Sequence, residues 1–187
     1  MIKTYQKLGW ATFPCHGKVP ATKRGFHEAD ITGEVFKKYK GENVGVASGD
    51  VSGVWILDID IKKNAGGAES LAALVEKYGP LPITVESRTW SGGTHYYFKM
   101  PSCGMGNRTN VFKGIDVRGS GGYVIAPPST IEGKPYEWIN TPELTDVAEA
   151  PIWLINLLKE KVNPERQNDP TGKIIEGQRN QELTSKA

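Results

Sequence analysis

The chain has 187 residues, 38% of them hydrophobic and 24% charged, proportions typical of a globular protein that folds in water. Its formal net charge of +2 excludes a strongly basic protein that coats DNA, although it leaves nucleic-acid binding open. No apolar run approaches the roughly 20 residues that span a bilayer, and the first residues lack a signal-peptide core, so we expect a cytoplasmic protein without a membrane partner.

Helical and strand patterns alternate along the chain, which predicts an α/β fold. In chain order we expect a helix at 2–8, a loop at 18–25, a helix at 31–39, strands at 43–48 and 54–62, a helix at 66–79, strands at 84–89 and 94–100, a loop at 102–110, two strands around a Gly-rich turn at 114–129, a strand at 136–139 and a helix at 151–162. Pro, Asn and Gly at 163–173 predict a linker, and 174–187 begins another helical segment.

Two aspartates interrupt the apolar strand VWILDIDIK at 54–62. Strand alternation puts the apolar side chains through Ile61 on one face, and Asp58 and Asp60 on the other with Cα atoms roughly 6.5–7 Å apart. Two carboxylates about 4 Å apart repel by roughly 4 kcal/mol at an effective dielectric near 20. A shifted pKa, a basic partner such as Lys62 or a bound cation must offset that repulsion, unless the pair simply reaches solvent.

The stretch WSGGTHYYF at 90–98 combines a Gly-rich turn with a histidine. Backbone N–H groups in such a turn can face an anion. We expect His95 at the rim of the sheet, where its ring can donate to a phosphate oxygen. The alternative is an ordinary hairpin turn with a surface histidine, and Trp90 either stacks on a base or belongs to the core.

A third acid lies in the apolar strand of GIDVRG at 114–119. Alternation puts Asp116 and Arg118 on one face, where they either form a simple ion pair or serve a site. Arg88 is either a fork for phosphate or a solvated strand residue.

Together the three acids provide the hard oxygen ligands that Mg²⁺ or Mn²⁺ prefers, next to a Gly-rich turn and a histidine. Two such ions can stabilise both the attacking and the leaving oxygen of a phosphoryl displacement. The two cysteines, Cys15 and Cys103, belong to no CxxC pair, which argues against a disulfide framework and a structural zinc site.

These motifs occur in the order found in a known family. The sequence resembles the primase–polymerase (prim-pol) domains of the archaeo-eukaryotic primase superfamily, which occur in replication proteins of phages, plasmids and other mobile elements. The matching stretches cover most of residues 9–140 and are GKVPATKRGF, NVGVASGDVSGVWILDID, GGAESLAALVEKYGPLPITVESRTWSGGTHYYF and GIDVRGSGGYVIAPPS.

The resemblance implies a fold, an activity and a set of site residues. It implies a two-part α/β unit at 1–162 whose catalytic half is similar to an RNA-recognition motif, without the zinc-binding insertion that some relatives carry. The implied activity is template-directed nucleotidyl transfer by a DNA primase or polymerase with two Mg²⁺ or Mn²⁺ ions. The implied roles are metal ligation by Asp58, Asp60 and Asp116, catalysis by these acids and His95, nucleotide binding by Lys62, Arg88, Ser91, Gly92, Gly93, His95 and Arg118, and nucleic-acid binding by Lys18, Lys23 and Lys113.

Partners follow from the same resemblance. They are a single-stranded DNA template, a primer and nucleoside triphosphates. The segment GQRNQELTSKA resembles the start of the helical domain that follows the catalytic domain in many relatives, with a helicase often beyond it.

Three other functions fit parts of the sequence. A metal-dependent nuclease or phosphoesterase uses the same acids and histidine but shortens nucleic acid instead of extending it. A non-catalytic nucleic-acid-binding module would not need the three acids. An initiator that nicks DNA through a tyrosine needs a His-hydrophobic-His metal pair, which His16, His27 and His95 do not form.

Overall fold

The structure, a computed structural model, describes residues 2–62 and 65–160, which form a mixture of helices and strands. The elements in chain order are α1 (Ile2–Lys7), β1 (Thr12–His16), β2 (Val19–Pro20), a 3₁₀ turn (Gly25–Glu28), α2 (Val35–Lys38), β3 (Asn43–Ala47), β4 (Val54–Ile59), α3 (Gly67–Tyr78), β5 (Glu86–Arg88), β6 (Thr94–Lys99), β7 (Arg108–Phe112), β8 (Ile115–Arg118), β9 (Tyr123–Ala126), β10 (Thr130–Ile131), β11 (Lys134–Pro135), β12 (Glu137–Asn140) and α4 (Ile152–Glu160). The predicted α/β class is confirmed.

The strands form two main sheets and a small hairpin. One sheet has four strands in the order β2-β1-β3-β9, and the other has six in the order β12-β5-β6-β4-β8-β7. Neighbouring strands in both sheets are antiparallel, and β10 pairs with β11 separately.

Strand β4 lies inside the six-stranded sheet, and each of its faces packs into a different core. Trp55, Leu57 and Ile59 belong to a cluster that includes buried residues of α4, against which α3 also packs. Val54 and Ile56 belong to a second cluster with residues of α1, β3 and β9. Because strand side chains alternate, Asp58 follows Val54 and Ile56 and faces the four-stranded sheet. The acid therefore lies between the two sheets.

The Gly-rich turn at 119–122 connects strands of different sheets. The sequence correctly predicts a strand on each side, but β8 belongs to the six-stranded sheet and β9 to the four-stranded one. The connection from β3 to β4 also crosses between the sheets, and the two crossings touch: Ser48 Oγ donates to the Gly119 carbonyl over 2.8 Å.

The structure corrects four predicted boundaries. The helix expected at 31–39 is only Val35–Lys38, because Asp30 accepts the N–H groups of Thr32, Gly33 and Val35 in a turn that precedes it. The loops expected at 18–25 and 102–110 contain β2 and the start of β7. The strand expected at 54–62 ends at Ile59, so Ile61 leaves the apolar face and is 41% exposed.

The linker expected at 163–173 and the helical segment expected at 174–187 lie outside the described residues. Among the helices of the described residues, none combines the length and the apolar character that crossing a membrane requires.

Candidate active site

Two carboxylates from neighbouring strands meet on one guanidinium group. Asp58 on β4 is directly opposite Asp116 on β8, an arrangement that repels when both are charged. Arg118 compensates for this repulsion: its Nη2 lies 2.6 Å from Asp116 Oδ2 and 3.2 Å from Asp58 Oδ2, and its Nε lies 3.3 Å from the same Asp58 oxygen. The backbone N–H of Asn110 donates to the other Asp116 oxygen over 2.6 Å. The ion pair between Asp116 and Arg118, one of the two alternatives that the sequence left open for this face, is present.

His95 lies on the other side of Asp58. The antiparallel register places it directly opposite Asp58 on β6, and its Nε2 is 3.4 Å from Asp58 Oδ1. This distance is long for a hydrogen bond, so Nε2 can also serve a bound ligand. The sequence predicts that His95 lies at the rim of the sheet, and this prediction is wrong. Strand β6 is an inner strand, and His95 is 5% exposed.

The surroundings of Asp58 favour its charged form. Burial raises the pKa of this carboxyl, but the charges and hydrogen bonds of His95 and Arg118 outweigh burial and hold the pKa below its ordinary value. The side chain is thus an ionised acceptor in a largely buried position, where electrostatic interactions are stronger than in water.

Asp60 stands apart from the other two acids. It follows the last residue of β4, is exposed, and accepts the backbone N–H of Lys62 on Oδ1 over 2.7 Å. Its main chain is held by Gly67 and Gly114: a Cβ at Gly67 would lie 2.5 Å from the Asp60 carbonyl oxygen and 2.4 Å from that of Gly114. The missing side chains let α3 and the β7–β8 turn approach the acid closely.

The acids fit a divalent cation in part. Within residues 2–62 and 65–160, no three His, Cys, Asp or Glu side chains are close enough together to hold a metal ion. Asp58 and Asp116 nevertheless already share one cation, the Arg118 guanidinium, and hard oxygen donors of this kind suit Mg²⁺ or Mn²⁺. Asp60 accepts the Lys62 N–H on one carboxylate oxygen and does not complete a three-ligand site with these two acids.

A cleft of about 280 Å³ opens above these side chains between the two sheets. Asp58, His95 and Arg118 form one wall. The residues of the remaining walls come from both sheets and their connections: Lys18, Phe26, Asn107, Gly121, Gly122, Tyr123, Val124, Ile125 and Tyr136.

The aromatic residues of the cleft were not predicted from the sequence. Phe26 and Tyr123 have ring centroids 5.6 Å apart, and Tyr136 lies 6.0 Å from the His95 ring. Tyr123 directly follows the Gly-rich turn, so the turn is the sequence signal that could have indicated it. Phe26 ends the matching stretch GKVPATKRGF, within which the sequence predicts no role for this ring, and Tyr136 belongs to none of the matching stretches. Only the tertiary fold brings both rings to the site.

The turn at 119–122 forms part of the cleft because its glycines allow close packing. A Cβ at Gly122 would lie 2.2 Å from Asn107 Oδ1, and a Cβ at Gly119 would lie 2.0 Å from the Met105 carbonyl oxygen. Gly121 has a φ of +86°, a conformation that other residues rarely adopt.

The second Gly-rich turn, Ser91–Gly93, does not line this cleft. The N–H of Gly92 donates to the Thr89 carbonyl over 2.9 Å, and Thr89 donates back to Gly93 over 2.8 Å. A Cβ at Gly93 would lie 2.3 Å from the Ile59 carbonyl oxygen. The turn therefore closes tightly between β5 and β6, beside the end of β4.

The predicted basic residues lie in different places. Lys18 lines the cleft, and Lys62 extends over the Trp90 ring outside it. Arg88 and Lys23 are exposed and do not line the cleft, and Lys113 lies in a separate groove beside the start of α3. Their predicted contacts with nucleotide or nucleic acid stay predictions.

Comparison with known proteins identifies a family. A family model described as "Bifunctional DNA primase/polymerase, N-terminal" (Prim-Pol) matches residues 2–153. The comparison with curated proteins finds no match. The matched segment contains the whole acid–histidine–arginine site and the cleft above it.

Proposed function

Because the chain belongs to the Prim-Pol family, whose members are generally nucleotidyltransferases of the primase and polymerase type, we propose that it catalyses template-directed nucleotidyl transfer. It would join nucleoside triphosphates to a primer 3′-hydroxyl on a single-stranded DNA template, or to a first nucleotide when it starts a chain. The observation that carries this proposal is the cluster in which Arg118 contacts both Asp58 and Asp116 and His95 contacts Asp58. Asp58, His95 and Arg118 line one wall of the cleft.

The cleft suits the incoming nucleotide. Arg118 provides positive charge for the triphosphate, and His95 lies in the same wall, where its Nε2 can donate to a phosphate oxygen. The rings of Phe26, Tyr123 and Tyr136 provide an apolar wall for the base and sugar.

Asp58 and Asp116 would hold the divalent cations, joined by Asp60. A Mg²⁺ or Mn²⁺ ion bound there supplies charge neutralisation of the triphosphate and a lower pKa for the attacking hydroxyl. The protein's own residues position the reactants. Arg118 reduces the electrostatic repulsion between the two carboxylates. His95 orients Asp58 and can donate to a phosphate oxygen.

Several finer predictions belong to this proposal. We expect Ser91, Gly92, Gly93 and Arg88 to act on the nucleotide from the neighbouring turn, and Lys23 and Lys113 to contact nucleic acid. A role in the replication of a mobile element, with a helicase as partner, follows from the family resemblance.

The proposal is tested with a primed DNA template, Mn²⁺ and labelled nucleotides. We expect the wild type to lengthen the primer, and Asp58→Asn and Asp116→Asn to lower the rate by about hundredfold or more, as expected when charge stabilisation is lost. Asp146→Asn, which changes an exposed carboxylate that does not line the cleft, serves as the matched control and should extend normally.

Two results would contradict the proposal. A shortened primer would indicate the nuclease or phosphoesterase alternative. Equal extension by Asp58→Asn and the wild type would mean that the cleft is not the active site. Reactions with deoxynucleotides or ribonucleotides, with and without a primer, also measure sugar preference and priming.

A further inference from the structure

The ammonium groups of two lysines lie over the Trp90 ring at the edge of the cleft. Lys62 Nζ lies 4.1 Å from the ring centroid and Lys18 Nζ lies 5.3 Å from it. Lys62 follows β4, Lys18 belongs to the β1–β2 turn, and Trp90 precedes β6. Three segments that are distant in sequence thus place two cations on one aromatic ring.

Neither of these two positive charges has an acidic partner in the part of the chain that the structure describes. Since both are close to the same ring, they are nearer to each other than the screening length of about 10 Å at 0.1 M salt, and they repel. An anion bound between them would relieve that repulsion.

The ring itself is held in place. Trp90 is partly buried and packs on the core of the four-stranded sheet. Its Nε1 is buried without a hydrogen-bond partner among the described residues, so packing, and not a hydrogen bond, holds the indole in place. An anchored aromatic ring flanked by cations is the combination that binds single-stranded nucleic acid, with bases on the ring and phosphates on the cations.

The positions of these three residues favour a single-stranded nucleic acid over a single nucleotide as the ligand. Lys18 lines the cleft, whereas Lys62 and Trp90 do not. A ligand that contacts all three residues must therefore extend beyond the cleft. Exposed Ile61 lies beside Gly92 in the adjoining turn and adds apolar surface there.

We propose that Trp90, Lys18 and Lys62 form a docking surface for single-stranded DNA where it leaves the cleft. Lys62 Nζ, which lies over the Trp90 ring in the free protein, moves to a backbone phosphate, and a base takes its place on the ring. Lys18 Nζ holds a second phosphate. This inference rests on the proposed function and assigns Lys62 to nucleic acid instead of the nucleotide.

The test is binding of a fluorescein-labelled oligo-dT, measured by fluorescence anisotropy without nucleotide or divalent metal. We expect Trp90→Ala to weaken binding about tenfold, the usual scale for one stacked base. Trp90→Phe keeps an aromatic ring and should retain most of the affinity. Circular dichroism checks that each variant is folded.

The lysines are tested by the salt dependence of the same binding. Lys18→Ala/Lys62→Ala should weaken binding and reduce the slope of log affinity against log salt by about 0.7 for each lysine. The matched control is Lys77→Ala/Lys99→Ala, which removes the same charge. Lys77 has a similar contact with Tyr78, 4.9 Å from its ring centroid, but is at the far end of α3, and Lys99 is at the far end of β6.

Three results would overturn the inference: wild-type affinity in Trp90→Ala, an equal loss in Trp90→Phe, or an equal loss in the control pair. The inference and the proposed function fail separately. Oligo-dT binding that depends on Trp90 in a protein that extends no primer would refute only the function. Primer extension with binding that ignores Trp90 would refute only the docking surface.

Discussion

At the scale of single residues, Arg118 determines how the two facing acids can coexist. Its guanidinium contacts both Asp58 and Asp116, and its side chain is only 26% exposed. The sequence allowed its pairing with Asp116 to be predicted, because the two residues alternate on one strand. Its contact with Asp58 depends on the register between β4 and β8, which the sequence alone does not specify.

Replacing Arg118 with Gln should expose this dependence. We expect the free energy of unfolding to fall by about 2 kcal/mol, because two carboxylates lose their charged donor, which corresponds to a melting temperature lower by about 5 °C. Added Mn²⁺ should then stabilise the variant more than the wild type, since it replaces the missing cation. Thermal melts with and without Mn²⁺ measure both effects.

The control for that experiment is Arg118→Gln combined with Asp116→Asn. Removing one of the facing carboxylates should remove most of the extra Mn²⁺ stabilisation. An equal Mn²⁺ effect on wild type and Arg118→Gln would show that the two acids do not bind the ion together.

At the scale of elements, strand register assembles the site. Asp58 lies opposite His95 on one side and Asp116 on the other, so three adjacent antiparallel strands bring the acids and the histidine together. The sequence predicted these strands but not their order. It also extended β4 too far, because alternation of residue types continues to Ile61 after the ladder has ended. Asp60 consequently lies outside the strand that the pattern assigned to it.

The start of β6 depends on a glycine. A Cβ at Gly93 would lie 2.3 Å from the Ile59 carbonyl oxygen, and backbone cannot move aside as easily as a side chain. We expect Gly93→Ala to push β6 away from β4, to lower stability by about 2 kcal/mol and to slow primer extension, because His95 and Asp58 separate. Urea unfolding and the extension assay measure the two changes.

Gly106→Ala is the matched control, since a Cβ there would meet no atom within 4 Å. It should be neutral in both assays. A Gly93→Ala protein with wild-type stability would mean that the strands are not packed as closely as described.

The short helix α2 depends on a carboxylate that precedes it. Asp30 accepts the N–H of Val35 over 2.8 Å and those of Thr32 and Gly33 with its other oxygen. Burial raises the pKa of Asp30, but its hydrogen bonds with Thr32, Val35 and Gly33 outweigh burial and lower the pKa below its ordinary value. Its stabilising effect is therefore present above the unfolded-state pKa near 4 and is lost as the pH falls through the lower folded-state pKa.

We expect Asp30→Asn to lower the free energy of unfolding by about 1 kcal/mol at pH 7. The difference from the wild type should shrink below about pH 4, where the wild-type carboxylate also loses its charge. Urea unfolding at several pH values measures this. A difference that stays constant down to pH 2 would contradict the assigned role, and Asp146→Asn provides the baseline for an exposed carboxylate.

At the scale of the whole molecule, two sheets share a core through β4. One face of β4 packs on α3 and α4, and the other packs towards the four-stranded sheet. The α/β class could be predicted from alternating patterns. The division into two sheets, with β8 and β9 on opposite sides of the cleft, could not be, because it depends on which strands pair over long sequence distances. The aromatic wall of the cleft was hidden for the same reason.

A shared core predicts cooperative unfolding. Ile56 is fully buried on the face of β4 that points to the four-stranded sheet, and we expect Ile56→Ala to cost about 3 kcal/mol. Tryptophan fluorescence and far-UV circular dichroism should shift to lower urea concentration together. Ile83→Ala, at a residue 82% exposed, should change little. Separate transitions for the two probes would show that the sheets unfold independently.

The order of the strands along the chain limits where the protein can be cut into two fragments. Strands β1–β3 belong to the four-stranded sheet and β4–β8 to the six-stranded sheet. Strand β9 then completes the four-stranded sheet, and β12 completes the six-stranded one. No single cut yields two fragments that each hold a complete sheet. A fragment ending before residue 119 keeps every acidic group of the site but lacks the strand that closes the opposite wall, so split versions of the protein would have to reassemble both sheets before they could hold a substrate.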